Sequence, residues 1–437
     1  MILWNMHINQ RIIEIILQSI QYKNKELLLN LIKAELISNS GYLTELAMKV
    51  NPKQYHNIQK LFSRVKFNYV AIQIEIIIAI IFFFNILKIS ISIDDSIIYR
   101  SRKKKVPYGH KQYDHANKAN RSSYVFGQRW LAFGLIITIG GRTITLPLYI
   151  YLVKPKKNLI TMTVVILREL KRVMDKRGLE IEVEILTDSW FARERLILRA
   201  KHQYGFSVVT MARKDLALYK LPPVRRKKAK GRPKIKGKRI KPELEDLKKE
   251  RTLQVYSRIV NVKYKEAICK ARFLNYEIVK AVWVRFDDAE SIRLLISTDT
   301  TLSGEEIIRR YALRWDIESM FNELKNRFKF KMIMLQTPRS YYQFLYFKIW
   351  AFIIIKLSSI QFKQRVTDYI KEMLPWRVHH KKGVTVTAGS TQLALQSIFT
   401  TLHIGLFFPK VDEKIEKNLG NNEFWESCVD NYYEDAG

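Results

Sequence analysis

The stretch SGEEIIRRYALRWDIESMFNELKNRF, residues 303–328, has apolar side chains at helical spacing. It opens with Ser303 and Glu306, the two positions of a capping box at the start of a helix. At about 100° per residue, one narrow stripe carries Tyr311, Arg314, Glu318 and Lys325. The neighbouring face is apolar and suited to packing on a sheet. The stretch therefore predicts one long helix that turns an acid, two cations and a phenol towards a cleft.

The chain before this helix alternates between strand and helix patterns. Two β-rich runs, 131–139 and 142–151, are joined by Gly140-Gly141, which is a two-residue hairpin signal. The runs that follow predict a helix to about Lys176, a strand at 180–186, a helix at 191–202 and a strand at 205–211. This order predicts a mixed α/β sheet with helices on its faces.

Composition and pattern divide the chain into four parts. They are an N-terminal helical domain at 1–88, an α/β core at 89–211 and 301–360, a β-rich insertion with a basic loop at 212–300, and a C-terminal region at 361–437. The strands predicted in the insertion lie at 253–262, 266–273, 277–286 and 292–297. A helix is predicted from about Arg339 to Leu357.

The charge of the chain indicates a polyanionic partner. Lys and Arg number 76 and Asp and Glu 41, so the formal charge is 76 − 41 = +35. AT-rich coding, a membrane surface and ribosomal RNA are alternative explanations, but basic residues gathered in runs favour nucleic acid. The run Arg225–Lys241 holds eleven basic residues in seventeen. Its centre, Gly231-Arg232-Pro233, resembles an AT-hook that places Arg232 in a minor groove, and the alternative is a flexible loop with non-specific phosphate contacts.

Cysteines and apolar runs exclude several classes of protein. Cys269 and Cys428 are far apart and lack metal-ligand spacing, so neither a zinc site nor a disulfide framework is expected. The apolar run Ile76–Phe84 is far shorter than the roughly 20 residues of a membrane span. The run 344–360 is interrupted by two lysines. A reducing, cytoplasmic location without a membrane partner is therefore expected.

The spacing Y-(2)-R-(3)-E-(6)-K of the stripe resembles the YREK signature of the DDE insertion-sequence transposases, the bacterial cut-and-paste branch. The alternative is a solvated helix face with ordinary ion pairs. Further similarity lies at Ile93–Ser96, at Ile185–Trp190 and around Ser297, near the family's first, second and third acids. The resemblance covers about residues 90–360. It implies an RNase H-like mixed-sheet core interrupted by an all-β insertion domain.

The resemblance assigns catalysis and metal binding to Asp94, Asp188 and Glu318. It implies two Mg²⁺ ions, for which Mn²⁺ can substitute, because hard cations prefer carboxylate oxygens and a metal pair suits in-line phosphoryl displacement. Asp95 remains the alternative first acid, since adjacent strand residues point to opposite faces. Asp188 has the alternative of capping the helix that follows it.

The resemblance also implies a DNA interface, and the N-terminal helical domain at 1–88 is expected to bind DNA. Tyr311, Arg314 and Lys325 would bind phosphates near the transposon end, and an insertion-domain tryptophan would hold a flipped base. Trp283 is the candidate, with a core tryptophan as the alternative. The implied protein is a nucleoid-associated bacterial transposase, a homodimer on DNA, that cleaves element ends and transfers strands to target DNA. The alternatives are a catalytically silent, transposon-derived DNA-binding protein and an RNase H-like nuclease without strand transfer.

Overall fold

A computed structural model describes residues 8–101, 105–114, 122–223, 232–255, 258–287, 289–373 and 386–396. Within these ranges five helices precede the first strand. They are α1 (Ile8–Ser19), α2 (Lys25–Ser38), α3 (Leu43–Val50), α4 (Tyr55–Ser63) and α5 (Tyr69–Phe83). Asn24 and Asn68 start α2 and α5 by accepting backbone N–H groups of the first turn. The N-terminal part is therefore helical, as predicted.

The described strands form one mixed sheet. They are β1 (Lys88–Tyr99), β2 (His110–Tyr113), β3 (Tyr124–Ile139), β4 (Arg142–Leu152), β5 (Glu182–Thr187), β6 (Ser207–Ala212), β7 (Leu218–Tyr219), β8 (Arg239–Ile240), β9 (Lys249–Val255), β10 (Arg258–Ala271), β11 (Glu277–Phe286) and β12 (Arg293–Ser297). β1 lies between antiparallel β3 and parallel β5, and β6 continues the parallel part. The mixed α/β sheet is confirmed.

The β3–β4 hairpin turns at the predicted glycines. Gly140 and Gly141 have φ angles of 54° and 73°. A two-residue turn with positive φ at both positions matches the right-handed twist of the strands, and glycine adopts it without steric cost. The predicted hairpin is confirmed.

Six further helices follow in the described chain: α6 (Leu159–Lys176), α7 (Glu194–Tyr204), α8 (Gly304–Leu313), α9 (Asp316–Asn322), α10 (Pro338–Gln361) and α11 (Lys363–Met373). Helices α8 and α9 lie on one face of the sheet. Gly134 of β3 lets α9 approach closely, because a Cβ there would lie 3.4 Å from Ile317 of α9 and 2.9 Å from Thr145. The opposite face of β1 meets α5 and α6, where Ile89 lines an apolar cavity with Ile77 and Leu170.

The strands of the predicted insertion continue the core sheet. β12 pairs antiparallel with β6, and β11, β10 and β7 follow outward. Two predicted strands, 253–262 and 266–273, are wrong in their bounds, since β10 is one strand paired with β11 without a register shift. Its buried side chains change phase because Tyr264 packs in one core cluster and Cys269 in another. Because the buried side chains of β10 switch from one face to the other along the strand, its sequence has the alternation expected of two separate strands. The domain boundaries themselves stay predictions.

The single long helix predicted at 303–328 is wrong. The capping box of Ser303 and Glu306 starts α8, but backbone bonds tighten to the i→i−3 pattern at Arg314 and Glu318. The segment 323–327 is then π-helical, and Phe328 N–H bonds to Glu323 O over 3.0 Å. The break lies where Ser92 Oγ donates to the Arg314 carbonyl over 3.2 Å, a tertiary contact that a helical pattern does not contain.

Helix α10 is the central helix of the fold. Among the described helices, it alone is long and apolar enough to span a membrane. Of its most apolar 18-residue stretch, 89% is buried inside the protein. It packs against α1, α2, α4 and α5 and against β4. Burial on this scale is typical of a core helix.

Candidate active site

Two of the predicted acids lie side by side on adjacent parallel strands. The last paired positions of β1 and β5 are Ile93 and Thr187. Asp94 and Asp188 come one residue later, and adjacent strands are about 4.8 Å apart. Because both strands run in the same direction, these two acids become neighbours in the sheet although they are 94 positions apart in the chain.

The adjacent aspartates of β1 point to opposite faces. Asp94 shares its face with Ser92, whose hydroxyl contacts the Arg314 carbonyl of the α8–α9 segment. Asp95 pairs instead with Arg129 of β3, with Nε and Oδ2 2.9 Å apart. Asp94 is therefore the first-acid candidate on the side of Glu318.

Arg314 bridges two of the three carboxylates. Its Nη1 lies 3.4 Å from Asp94 Oδ2, and its Nη2 lies 3.1 Å from Glu318 Oε1. The guanidinium side chain is only 11% exposed. A buried cation of this kind needs charged partners, and the planar fork of arginine serves two acceptors at once. The tightened turn at 314–318 thus brings Asp94 and Glu318 to one cation.

The electrostatic environment of Asp94 is unusual for a carboxylate. Burial raises the pKa of the Asp94 carboxyl to about 7, while Arg314 opposes the rise and Asp188 adds to it. Burial disfavours the charged form, and a second carboxylate nearby disfavours it further. Such perturbed acids occur at functional sites.

Asp188 caps a turn rather than the next helix. Its Oδ1 accepts the backbone N–H groups of Trp190 at 3.0 Å and Phe191 at 3.2 Å. Helix α7 begins later, at Glu194, and its N-cap position is Arg193. The turn fixes the Asp188 carboxylate at the end of β5, which is compatible with a further role for this acid.

The acids have the chemistry of a divalent cation site but not its arrangement. Carboxylate oxygens are the ligands that Mg²⁺ and Mn²⁺ prefer. Among the described residues, however, no three Asp, Glu, His or Cys side chains are grouped so that they could hold a metal ion. The positive charge beside Asp94 and Glu318 is that of Arg314.

The remaining residues of the stripe differ in their surroundings. Lys325 donates to Ser96 Oγ on β1 and lies 5.2 Å above the Phe321 ring. Tyr311 is 5% exposed and packs in a core cluster, with its ring 5.8 Å from the Arg314 guanidinium. Its surface is mostly covered, so a phosphate contact would require rearrangement.

Sequence reasoning missed the polar face of β1 that holds the helical segment. Ser92 and Ser96 contact Arg314 and Lys325, and Glu184 of β5 pairs with Arg310 of α8 at 2.8 Å. The available signal was the stretch ISISIDDS, in which Ser90, Ser92, Asp94 and Ser96 alternate with other residues, because alternation places these side chains on one face.

The tryptophans differ from expectation. Trp283 is 4% exposed and belongs to the main core cluster, which agrees with the core alternative rather than base stacking. The exposed tryptophans of the described chain are Trp190, at 39%, and Trp315, at 49%. Each is close in sequence to a site residue, Asp188 or Arg314, so aromatic surface is available beside the acids.

The basic run lies partly outside the described residues, which resume at Arg232 after 224–231. Arg232 is exposed. Lys236 lies 4.0 Å above the Tyr219 ring and 5.2 Å from the Tyr276 ring, and Arg239 belongs to strand β8. The end of the run is therefore anchored to the sheet.

Comparison with known proteins places the chain in a family. The family model described as transposase DDE domain matches residues 90–354. The comparison with curated proteins finds no match. The matched region is more than half of the 437 residues, and it runs from β1 into α10, so it contains Asp94, Asp188 and Glu318. The chain therefore belongs to the family of DDE transposases, whose partner is DNA.

Proposed function

We propose that the chain is a YREK-type insertion-sequence transposase with an RNase H-like core, which cleaves the ends of its element and transfers the strands in a metal-dependent reaction. The observation that carries the proposal is the bridge from Arg314 to Asp94 and Glu318, beside Asp188 at the end of β5. These contacts between three distant segments of the chain support the proposal.

The proposed metal ligands are Asp94, Asp188 and Glu318. Bound Mg²⁺ or Mn²⁺ would supply activation of an attacking oxygen and stabilisation of a leaving oxygen. Arg314 and Lys325 would hold DNA phosphates, and both contact β1, Arg314 at Asp94 and Lys325 at Ser96. Asp188 is held in place by the turn that it caps.

The proposed chemistry is phosphoryl transfer throughout. Water attacks a phosphorus atom at the element's end, the bond to the 3′ oxygen breaks, and the products are a 3′-hydroxyl and a 5′-phosphate. That 3′-hydroxyl then attacks a phosphorus atom of the opposite strand or of target DNA, and an equal number of phosphodiester bonds forms and breaks. The proposed assembly is a homodimer on DNA in the bacterial nucleoid.

The test compares neighbouring acids on one labelled duplex that carries the element's terminal inverted repeat. With Mg²⁺ present, Asp94→Asn and Glu318→Gln should lower the nicking rate by on the order of a thousandfold while DNA binding persists. Asp95→Asn is the matched control, because it makes the same change on the opposite face, beside Arg129. Normal nicking by Glu318→Gln would remove Glu318 from the proposed site.

The same duplex separates the two alternatives. A wild-type protein that binds the duplex but nicks in neither Mg²⁺ nor Mn²⁺ is the silent DNA-binding protein. A protein that nicks but never joins the new 3′-hydroxyl to a second strand is the nuclease. Joined products identify the transposase.

A further inference from the structure

The Arg314 guanidinium lies between Asp94 and Glu318 and contacts both carboxylates. Its two nitrogens are directed at Asp94 and Glu318, 3.4 and 3.1 Å away. Asp94 is 21% and Glu318 38% exposed, so the carboxylates are only partly solvated. Without a nearby positive charge they would repel each other and Asp188 at short range. Arg314 therefore offsets part of the negative charge of the cluster in this arrangement.

We propose that Arg314 is an internal counter-ion that competes with a divalent metal for Asp94 and Glu318, and that DNA phosphate couples metal binding to DNA binding by drawing Arg314 away. The inference rests on the proposed function, because it concerns the same three acids. Asp94 and Glu318 thus bind Arg314 in the free protein and the metal in the DNA complex.

Competition follows from charge and from geometry. A guanidinium and a divalent ion at the same two carboxylates would repel each other at a few ångströms, and they would share the same oxygen lone pairs. Among the described residues no three-acid group suited to a metal exists while Arg314 forms the bridge. A metal-binding arrangement therefore differs from this one at Arg314.

The backbone around Arg314 departs from a regular helix. Bonds of the i→i−3 type at Arg314 and Glu318 precede the π-helical segment 323–327. Irregular turns of this kind are frequent at functional sites. The residues that change partner thus lie on the irregular part of the segment, whereas α8 begins with a complete capping box.

Metal affinity and DNA affinity are linked through the fraction of molecules in which Arg314 is released. If release of Arg314 limits metal binding, the apparent metal affinity is reduced by the fraction of molecules with Arg314 released. A DNA phosphate that binds Arg314 raises that fraction, so DNA increases metal affinity. By reciprocity, metal increases DNA affinity by the same factor.

The test measures Mn²⁺ binding to the full chain, with free Mn²⁺ followed by electron paramagnetic resonance. Without DNA, Arg314→Gln should bind Mn²⁺ about tenfold more tightly than wild type, since the competing charge is gone. Arg309→Gln is the matched control: it makes the same change on α8, where Arg309 pairs with Glu305 at the surface. It should change Mn²⁺ affinity by less than about twofold. Equal or weaker binding by Arg314→Gln overturns the proposal.

A DNA arm tests the coupling with a pre-cleaved end duplex, in which no bond remains to be cut. The duplex should tighten Mn²⁺ binding to wild type and to Arg309→Gln, after subtraction of Mn²⁺ bound by DNA alone, but not to Arg314→Gln. An equal gain in Arg314→Gln overturns the coupling. Arg314→Lys, which keeps the charge but not the fork, gives a second comparison and should bind metal with intermediate affinity.

Two measurements keep failures apart. Thermal unfolding without metal shows whether each variant is folded, and Arg314→Lys replaces Arg314→Gln in the comparison if the latter is not. Nicking by wild type in Mg²⁺ is followed in parallel. If wild type nicks normally and the folded Arg314 variants bind Mn²⁺ no more tightly than wild type, only the counter-ion role is rejected. If wild type does not nick and neither wild type nor any variant binds Mn²⁺, the proposed function is rejected as well.

Discussion

The carboxylate of Glu266 accepts the backbone N–H of Gly304 over 2.8 Å, which joins strand β10 to the first residue of helix α8. The same carboxylate pairs with Lys280 at 2.8 Å and with Lys249. Gly304 leaves little space, because a Cβ would lie 2.7 Å from the Tyr264 ring. A strand of the predicted insertion thus fixes the start of the helical segment that leads to Arg314 and Glu318.

Glu266→Gln should therefore destabilise the protein in a pH-dependent way. Burial raises the pKa of Glu266, but Lys249, Lys280 and the Gly304 amide outweigh it and lower the pKa to about 2 from 4.5. A depressed carboxyl pKa stabilises the fold above the unfolded value and loses that effect as pH falls towards the folded value. We expect a loss of about 2 kcal/mol near neutral pH, because charge-assisted bonds are replaced by neutral ones.

Urea unfolding of both proteins between about pH 3 and 7 measures this effect. The difference in unfolding free energy should shrink below about pH 4.5, where the unfolded-state carboxyl begins to protonate. Glu305→Gln, on an exposed pair with Arg309, is the control and should show little change. A difference that stays constant with pH would assign the loss to packing and not to charge.

The buried pair of Lys348 and Glu35 joins α10 to α2 and gives a second stability prediction. Both side chains are fully buried, and Lys348 also donates to the Ser40 carbonyl over 2.6 Å. Lys348→Met should cost about 3 to 5 kcal/mol, because Glu35 is left as an uncompensated buried acid. The double variant Glu35→Leu/Lys348→Met should recover much of the loss. Denaturant unfolding checks this, and simple addition of the two single losses would contradict coupling.

The strands and the candidate acids could be predicted from the sequence, but most contacts between them could not. The strand patterns around Asp94 and before Asp188 are local, and parallel pairing of β1 with β5 then makes these acids neighbours. The stripe on 303–328 depended on one regular helix. The break in that helix coincides with the Ser92 contact to the Arg314 carbonyl, a contact between residues 222 apart that periodicity does not encode.

Burial was the other quantity that local pattern left open. Tyr311 was predicted to contact DNA, and Trp283 to contact DNA or to lie in the core; they are 5% and 4% exposed. Which face of a strand is covered depends on the helices that pack there. The change of face in β10, from Tyr264 to Cys269, shows the same dependence within one strand.

Two tryptophan substitutions should separate packing from DNA contact. Trp283→Ala should lose about 3 to 5 kcal/mol of stability through the cavity that it leaves, with DNA affinity unchanged where the protein is folded. Trp190→Ala should cost little stability, since its ring is 39% exposed. We expect it to weaken end-duplex binding by about tenfold, because the ring lies two residues after Asp188 and exposed rings stack on bases. Anisotropy titrations and urea unfolding measure both effects, and the reverse pattern would restore Trp283 as the stacking residue.

The basic run should contribute to DNA affinity through phosphate charge. Outside strand β8, the exposed basic side chains of its described part are Arg232, Lys234, Lys238 and Lys241. Each phosphate contact that is lost lowers the slope of log affinity against log salt by about 0.9, so replacing all four with alanine should lower it by up to about 3.6. Filter binding over a salt series gives the slope.

Lys236 supplies an internal control for this prediction, because its ammonium packs on the rings of Tyr219 and Tyr276. Lys236→Ala should change the slope by less than the alanine substitution of Lys234, although both remove one charge from the same run. Duplexes of AT-rich and GC-rich sequence then distinguish the two interpretations of Arg232. An AT-hook requires Arg232→Ala to weaken the AT-rich complex selectively, since arginine prefers a narrow minor groove. Equal weakening on both duplexes would leave only backbone contacts, and an unchanged slope in the fourfold variant would show that the run does not touch DNA.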